Sequence, residues 1–149
     1  DWFILLMEGR SILKTHPKIV IALYIAKKDG SDFDQSAVTE RLCMEPDVSH
    51  KTHTTANGYR KPAFWRLTFS YENCLSVDDA LLATENAIRS RAEIIEEICQ
   101  SFDLTVGLTV NIYASHDDLP ELFLSAERIH FWSRLSADIG LDFWWDEQE

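Results

Sequence analysis

Apolar and polar residues follow one another along this chain in two periods, and the changes of period mark its elements. Ile19-Val20-Ile21-Ala22-Leu23-Tyr24-Ile25-Ala26 is an unbroken apolar run rich in β-branched residues, which predicts a central strand covered on both faces. Lys28-Asp29-Gly30-Ser31-Asp32 then supplies turn chemistry, and Asp34 can cap a short helix reaching about Leu42. Val38 and Leu42 fall one helical turn apart on its buried side, and Pro46 ends any continuation. Over residues 64–71 the period is two, with Trp65, Leu67, Phe69 and Tyr71 on one face and Arg66, Thr68 and Ser70 on the other. That is the mark of a half-buried strand.

The longest element begins at Ser76, a hydroxyl cap with an acid three residues on and with Asp78 and Asp79 at the helix N-terminus. Leu81, Leu82, Ile88, Ala92, Ile95, Ile98 and Cys99 then recur at helical spacing to about Ser101. The opposite face carries Glu85, Glu93, Glu96 and Glu97 against Arg89 and Arg91 alone. Leu104, Val106, Leu108, Val110 and Ile112 alternate with polar or small residues as a second period-two strand. Residues 121–124 can add a short strand, and Ser125 caps a helix with Ile129, Trp132, Leu135 and Ile139 on its apolar side. Gly140 stands at that helix's C′ position, and residues 141–145 form a last strand. The order is β-α-β-α-β-(β)-α-β, with no internal repeat and no break in composition. It predicts a single α+β domain over residues 16–149, helices packed on a largely antiparallel sheet, with residues 1–15 as an N-terminal extension whose order the pattern leaves open.

Two stretches stand outside this rhythm. Trp2 to Met7 is an apolar run of six residues, against about 20 needed to span a bilayer, and it lacks the basic region that opens a secretory leader. Neither a span nor a leader is expected, and Met7 is a candidate natural start. Residues 47–63 are polar almost throughout, with Asn57-Gly58 as a turn signal, and read as a long loop.

From Lys18 to Trp145 the chain resembles a bacterial family catalogued as domain of unknown function 4279. The resemblance rests on the apolar first strand, the acid-capped helix followed by Glu45-Pro46, the Trp65 strand after a basic polar loop, and the long helix after Leu75. It extends through the strand at Leu104 to the ending Leu141-Asp142-Phe143-Trp144-Trp145. The chain lacks the glycines usual in the family after the first helix and near Lys51. The resemblance implies no reaction, cofactor or catalytic residue; it implies kinship with proteins some of which are suspected to be immunity proteins beside secreted toxins.

Charge changes the picture. Residues 1–71 carry 10 Lys/Arg against 8 Asp/Glu, whereas residues 72–149 carry 4 against 17, so the formal net charge of −11 belongs to the C-terminal half. Such a surface repels nucleic acid and membranes and attracts basic proteins over roughly 8 Å at physiological salt. Cys43, Cys74 and Cys99 are odd in number and form no CxxC, which fits buried thiols in a reducing cytosol and predicts a cytoplasmic protein.

Candidate chemistry is sparse. His50 and His53 are spaced His-x-x-His and could share a metal with Asp47 or His116, but two exposed histidines in a solvated loop are the simpler reading and no metal or cofactor is expected. Asp47, Ser49 and His50 make a hydrolase triad only on paper, since triads draw on separated elements. Lys51, Tyr59, Arg60 and Lys61 could hold a phosphate by charge and stacking, without the glycine-rich cradle that would single out a nucleotide. Asp78-Asp79 and Asp117-Asp118 read as a helix N-terminus and a connection, not as catalytic pairs.

The expected function is therefore a non-enzymatic, acidic protein-binding module, immunity-like, occluding a basic toxin or other basic partner. Its expected contact residues are Glu85, Glu93, Glu96 and Glu97 on the long helix with Trp144, Trp145 and Asp146 at the C-terminus. Adjacent tryptophans in a strand face opposite ways, so one can be core while the other is exposed or at an interface, although a helix-covered sheet would bury both. The competing reading is a small-ligand or metal-binding protein or enzyme using His50, Lys51, His53, Tyr59 and Arg60. A homodimer hiding Trp144 or Trp145 is the third.

Overall fold

An apolar run with no charged residue inside it can be flanked by strands on both edges, and β1 (Lys18–Ala26) is so placed. It pairs antiparallel with β5 (Phe64–Tyr71) and with β6 (Thr105–Ala114), Ile21 lying between Phe69 and Val110. In the computed structural model residues 17–145 are described; the 1–15 extension and Asp146 lie outside them. The five-stranded order is β2-β5-β1-β6-β7. β2 (Val48–His50) joins β5 antiparallel at one edge, and β7 (Asp138–Trp145) joins β6 parallel at the other. The fold is a single α+β domain with a mostly antiparallel sheet, as the pattern predicts.

The helices cover one face of that sheet. Ile19, Ile21, Leu23 and Ile25 of β1, Trp65 and Leu67 of β5, and Val106, Val110 and Ile112 of β6 are buried against helical residues such as Val38, Leu81, Ile95 and Trp132. On the other face Val20 and Tyr24 are half-buried beside Arg66, Thr68, Thr109 and Asn111. The prediction that β1 is covered on both faces is thus corrected among the described residues. Short neighbours in register make the run apolar without a second layer, Ala22 sitting between Thr68 and Thr109.

Side-chain caps fix the helix starts at Asp34, Ser76 and Ser125. In α1 (Gln35–Leu42) the Asp34 carboxylate accepts from the Ala37 N–H, and in α2 (Val77–Ile88) the Ser76 hydroxyl accepts from Asp79. At the end of α1, Cys43 adopts a left-handed φ of 51°, a conformation that favours glycine.

The single long helix expected over residues 76–101 is two. A 3₁₀ turn, Arg89–Arg91, separates α2 from α3 (Ala92–Phe102). No glycine or proline marks this break; it coincides with a tertiary bond, Arg91 Nε donating to the Leu42 carbonyl at 2.9 Å.

Two expectations near the C-terminus are also corrected. Residues 121–124 make one bridge, Ser76 to Glu121, and no strand. Helix α4 (Ala126–Arg134) buries Arg128, Phe131, Trp132 and then Leu135, while Ile129 is 53% exposed. Trp132 and Leu135 lie on the buried side as predicted, but Arg128 and Phe131 stand there in place of Ile129. The left-handed residue after this helix is Ser136, and Gly140 lies within β7 opposite Thr109.

Residues 47–63, expected as loop, hold three short strands. Beyond β2, a separate hairpin pairs β3 (His53–Thr54) with β4 (Arg60–Lys61), His53 opposite Lys61. Gly58 takes φ 79° in its turn, where Asn57-Gly58 predicts one. Backbone pairing with β5 and Gln35 Nε2 donating to the His50 carbonyl replace the missing apolar period as the ordering force. Among the described residues no helix is long and apolar enough to cross a membrane.

Candidate functional site

β7, like the short β2 at the other edge of the sheet, has no buried residue, but over eight residues instead of three. It is an edge strand, paired with β6 along one side. Ile139, Leu141, Phe143 and Trp145 stand opposite Leu108, Val110, Ile112 and Ala114, on the helix side of the sheet, but α4 leaves the last three exposed. On the open side are Asp138, Asp142 and Trp144. Both tryptophans are exposed, Trp144 at 54% and Trp145 at 44%, so the expectation of one core tryptophan is corrected. They do point to opposite faces, but neither face is covered at the sheet's edge.

These rings are ordered by their neighbours. Trp144 stacks on Tyr113 with centroids 6.0 Å apart and donates its Nε1–H to Asn111 Oδ1 at 3.3 Å. Trp145 stacks between His116 at 4.5 Å and Phe143 at 5.7 Å. The arrangement is a held aromatic surface with two carboxylates in it, the kind of amphipathic group enriched at binding hot spots. Leu141 and Phe143 were not among the expected contact residues. Their signal is positional: a strand that ends the sheet after a crossover helix has one neighbour only.

The acidic helix face is smaller than its sequence suggests. Glu85 is 4% exposed and lies inside, where Arg128 Nη1 and Arg89 Nη2 donate to its two carboxylate oxygens. The α2 stripe continues through Thr84 and Glu85 to Ile88, so Glu85 belongs to the packed side. Glu97 pairs with Arg41 at 3.1 Å and Glu96 with Arg134 at 3.4 Å. Glu93 is exposed on α3.

The histidine loop brings together part of what was expected there. His50 and His53 meet edge to face, centroids 5.1 Å apart, with both Nδ1 atoms turned to the Lys51 carbonyl. The two third-ligand candidates are engaged elsewhere: Asp47 accepts the Thr68 N–H, and His116 stacks on Trp145 at the opposite edge of the sheet. Among the described residues no group of three or more His, Cys, Asp or Glu side chains is placed to hold a metal ion. Lys51, Tyr59, Arg60 and Lys61 are exposed around the small hairpin. Asp32 anchors this region by accepting the Thr52 N–H at 2.7 Å, and that bond, with help from Lys51 and Arg60, holds its carboxyl below the ordinary range.

The buried Glu85–Arg128 pair forms the base of a cavity between α2 and α4, with Arg89, Glu127, His130 and Arg134 on its walls. Nothing in the charge pattern alone points to it. The signal is Arg128 itself, a cation at the i position of a helical stripe that runs on through Phe131, Trp132 and Leu135.

Residues 18–146 match the family described as Domain of unknown function (DUF4279), the one its sequence resembles. No curated protein and no solved structure matches the chain.

Proposed function

The chain belongs to the DUF4279 family, whose function is unknown, and from that premise we propose that it is a non-enzymatic module that binds a basic protein partner through β7. The observation that carries this reading is an edge strand whose Leu141, Phe143, Trp144 and Trp145 are all exposed beside Asp138 and Asp142. Exposed rings on both faces of the strand, with Asp138 and Asp142 on the side of Trp144, suit a basic partner that grips the sheet edge, since apolar burial supplies affinity and charge complementarity supplies rate and selectivity. The helix acids Glu93, Glu96 and Glu97 extend the same field, with Glu96 and Glu97 partly neutralised by Arg134 and Arg41. Asp146 continues the sequence of β7 and adds charge to it. The specific form, an immunity-like protein covering a basic toxin, draws its support from the family resemblance.

The test is native mass spectrometry of the protein captured from its host lysate, run beside Trp144→Ala/Trp145→Ala and Asp138→Lys/Asp142→Lys variants whose melting curves match the parent. A stoichiometric basic partner lost in both variants supports the reading. A partner retained by both, or a homodimer as the one species that depends on the tryptophans, overturns it. The alternative small-ligand reading at His50, Lys51, His53, Tyr59 and Arg60 draws on the meeting of the two imidazoles. Its signature in the same spectra is a metal or ligand mass that disappears in His50→Ala/His53→Ala.

A further inference from the structure

The acidic half of the chain contains four cationic side chains, Arg89, Arg91, Arg128 and Arg134. Three of them line one cavity of about 320 Å³ between α2 and α4. Within a segment of formal charge −13, counted as 4 − 17 over residues 72–149, that convergence calls for a cause. Neutralising Glu85 is part of it, because a buried carboxylate requires a partner. One guanidinium is sufficient for that, yet Glu85 receives two, Arg128 on one oxygen and Arg89 on the other.

The three arginines meet three carboxylates, Glu85, Glu127 and Glu96, but the last two hold them weakly. Glu127 reaches Arg128 Nη2 at 3.3 Å from an almost fully exposed side chain, and Glu96 reaches Arg134 at 3.4 Å. Both are long contacts in which solvent screens most of the attraction. Arg128, 6% exposed, has an Nε–H with no acceptor. The base of the cavity is thus the buried Arg128–Glu85 ion pair, and its walls add Arg89, Arg134 and His130 from two separate elements.

We infer that this cavity binds the phosphate group of a small molecule, with Arg89 and Arg134 as the direct ligands and Arg128 as the buried charge behind them. Guanidinium forks on different elements suit a tetrahedral oxyanion with acceptors in several directions. The half-exposed side chains of Arg89 and Arg134 can exchange a carboxylate contact for a phosphate one without unfolding anything. Glu85 keeps Arg128 in place when they do. The site is independent of the β7 surface.

The experiment is a thermal-shift and NMR titration of the full chain with inorganic phosphate, against sodium chloride at equal ionic strength, followed by glycerol phosphate. A saturable rise in melting temperature with phosphate, not reproduced by chloride, is expected. Arg134→Gln and Arg89→Gln should each weaken phosphate by about tenfold, while Arg41→Gln, which removes the cation paired with Glu97 on another surface, leaves it unchanged. Glycerol phosphate binding at least as tightly identifies a phosphomonoester as the ligand class. Phosphate that acts no differently from chloride, or binding that survives both arginine changes, overturns the inference. So does inorganic phosphate binding with glycerol phosphate excluded.

Discussion

Glu85 and Arg128 pair out of reach of solvent, tying α2 to α4 across 43 residues of sequence. Removing one member leaves the other buried with reduced compensation. We expect Arg128→Met to lower unfolding free energy by about 3–5 kcal/mol, and Glu85→Leu with Arg128→Met to recover most of that loss. Urea denaturation of both variants checks it; a double variant no better than the single one would show that the pair, not its unpaired remnant, carries the stability.

Cys43 closes α1 with a left-handed backbone, φ 51°. A β-carbon is strained there, and glycine is not. Cys43→Gly should therefore raise stability by roughly 1 kcal/mol, measured as a shift in the urea midpoint with unchanged slope. Loss of stability on this change would mean that the thiol's approach to the Glu40 carbonyl, 3.5 Å, matters more than the backbone strain.

The three thiols differ in exposure, and so should differ in how fast they react. Cys43 is exposed, whereas burial pushes the Cys99 thiol up from 9.0 to about 11. At pH 8 a disulfide reagent should modify Cys43 first and Cys99 last. Since the folded pKa lies above the unfolded one, the stability tied to the Cys99 thiol is complete below pH 9.0 and is lost as pH rises towards about 11. Cys99→Ala should flatten the stability profile over that window.

Asp32 carries the opposite sign. Its carboxylate form accepts the Thr52 N–H, which lowers its pKa, so the anchoring is present above the ordinary carboxylate value and fades as pH falls through the lowered one. Amide exchange at Thr52 should quicken over that acid range. In Asp32→Asn it should be fast at neutral pH as well, with the sheet amides unaffected.

Local chemistry was legible where one force decided. The caps at Asp34, Ser76 and Ser125 and the turn at Gly58 follow from side-chain oxygens and backbone freedom acting within a few residues. The period-two strands at Trp65 and Val106 follow from a sheet with one buried face. What sequence periodicity misplaced depends on partners far along the chain. Glu85 resembles its acidic neighbours on α3 until Arg128 arrives from α4, and the adjacent tryptophans read as one inward and one outward until the sheet order leaves their strand at the edge. The β2 segment lacks an apolar period because backbone pairing to β5, not side-chain burial, orders it. Of the expected contact set, Trp144 and Trp145 lie together on β7 and Glu93, Glu96 and Glu97 on α3, while Glu85 serves the interior.

Among the described residues β7 is attached by the one parallel ladder of the sheet and along one side only. Detaching it breaks that ladder but leaves β2, β5, β1 and β6 in their antiparallel register. With little apolar surface buried in it, its opening free energy must lie far below that of global unfolding. The segment bearing the aromatic surface can thus part from the sheet without disturbing the antiparallel pairing of the other strands.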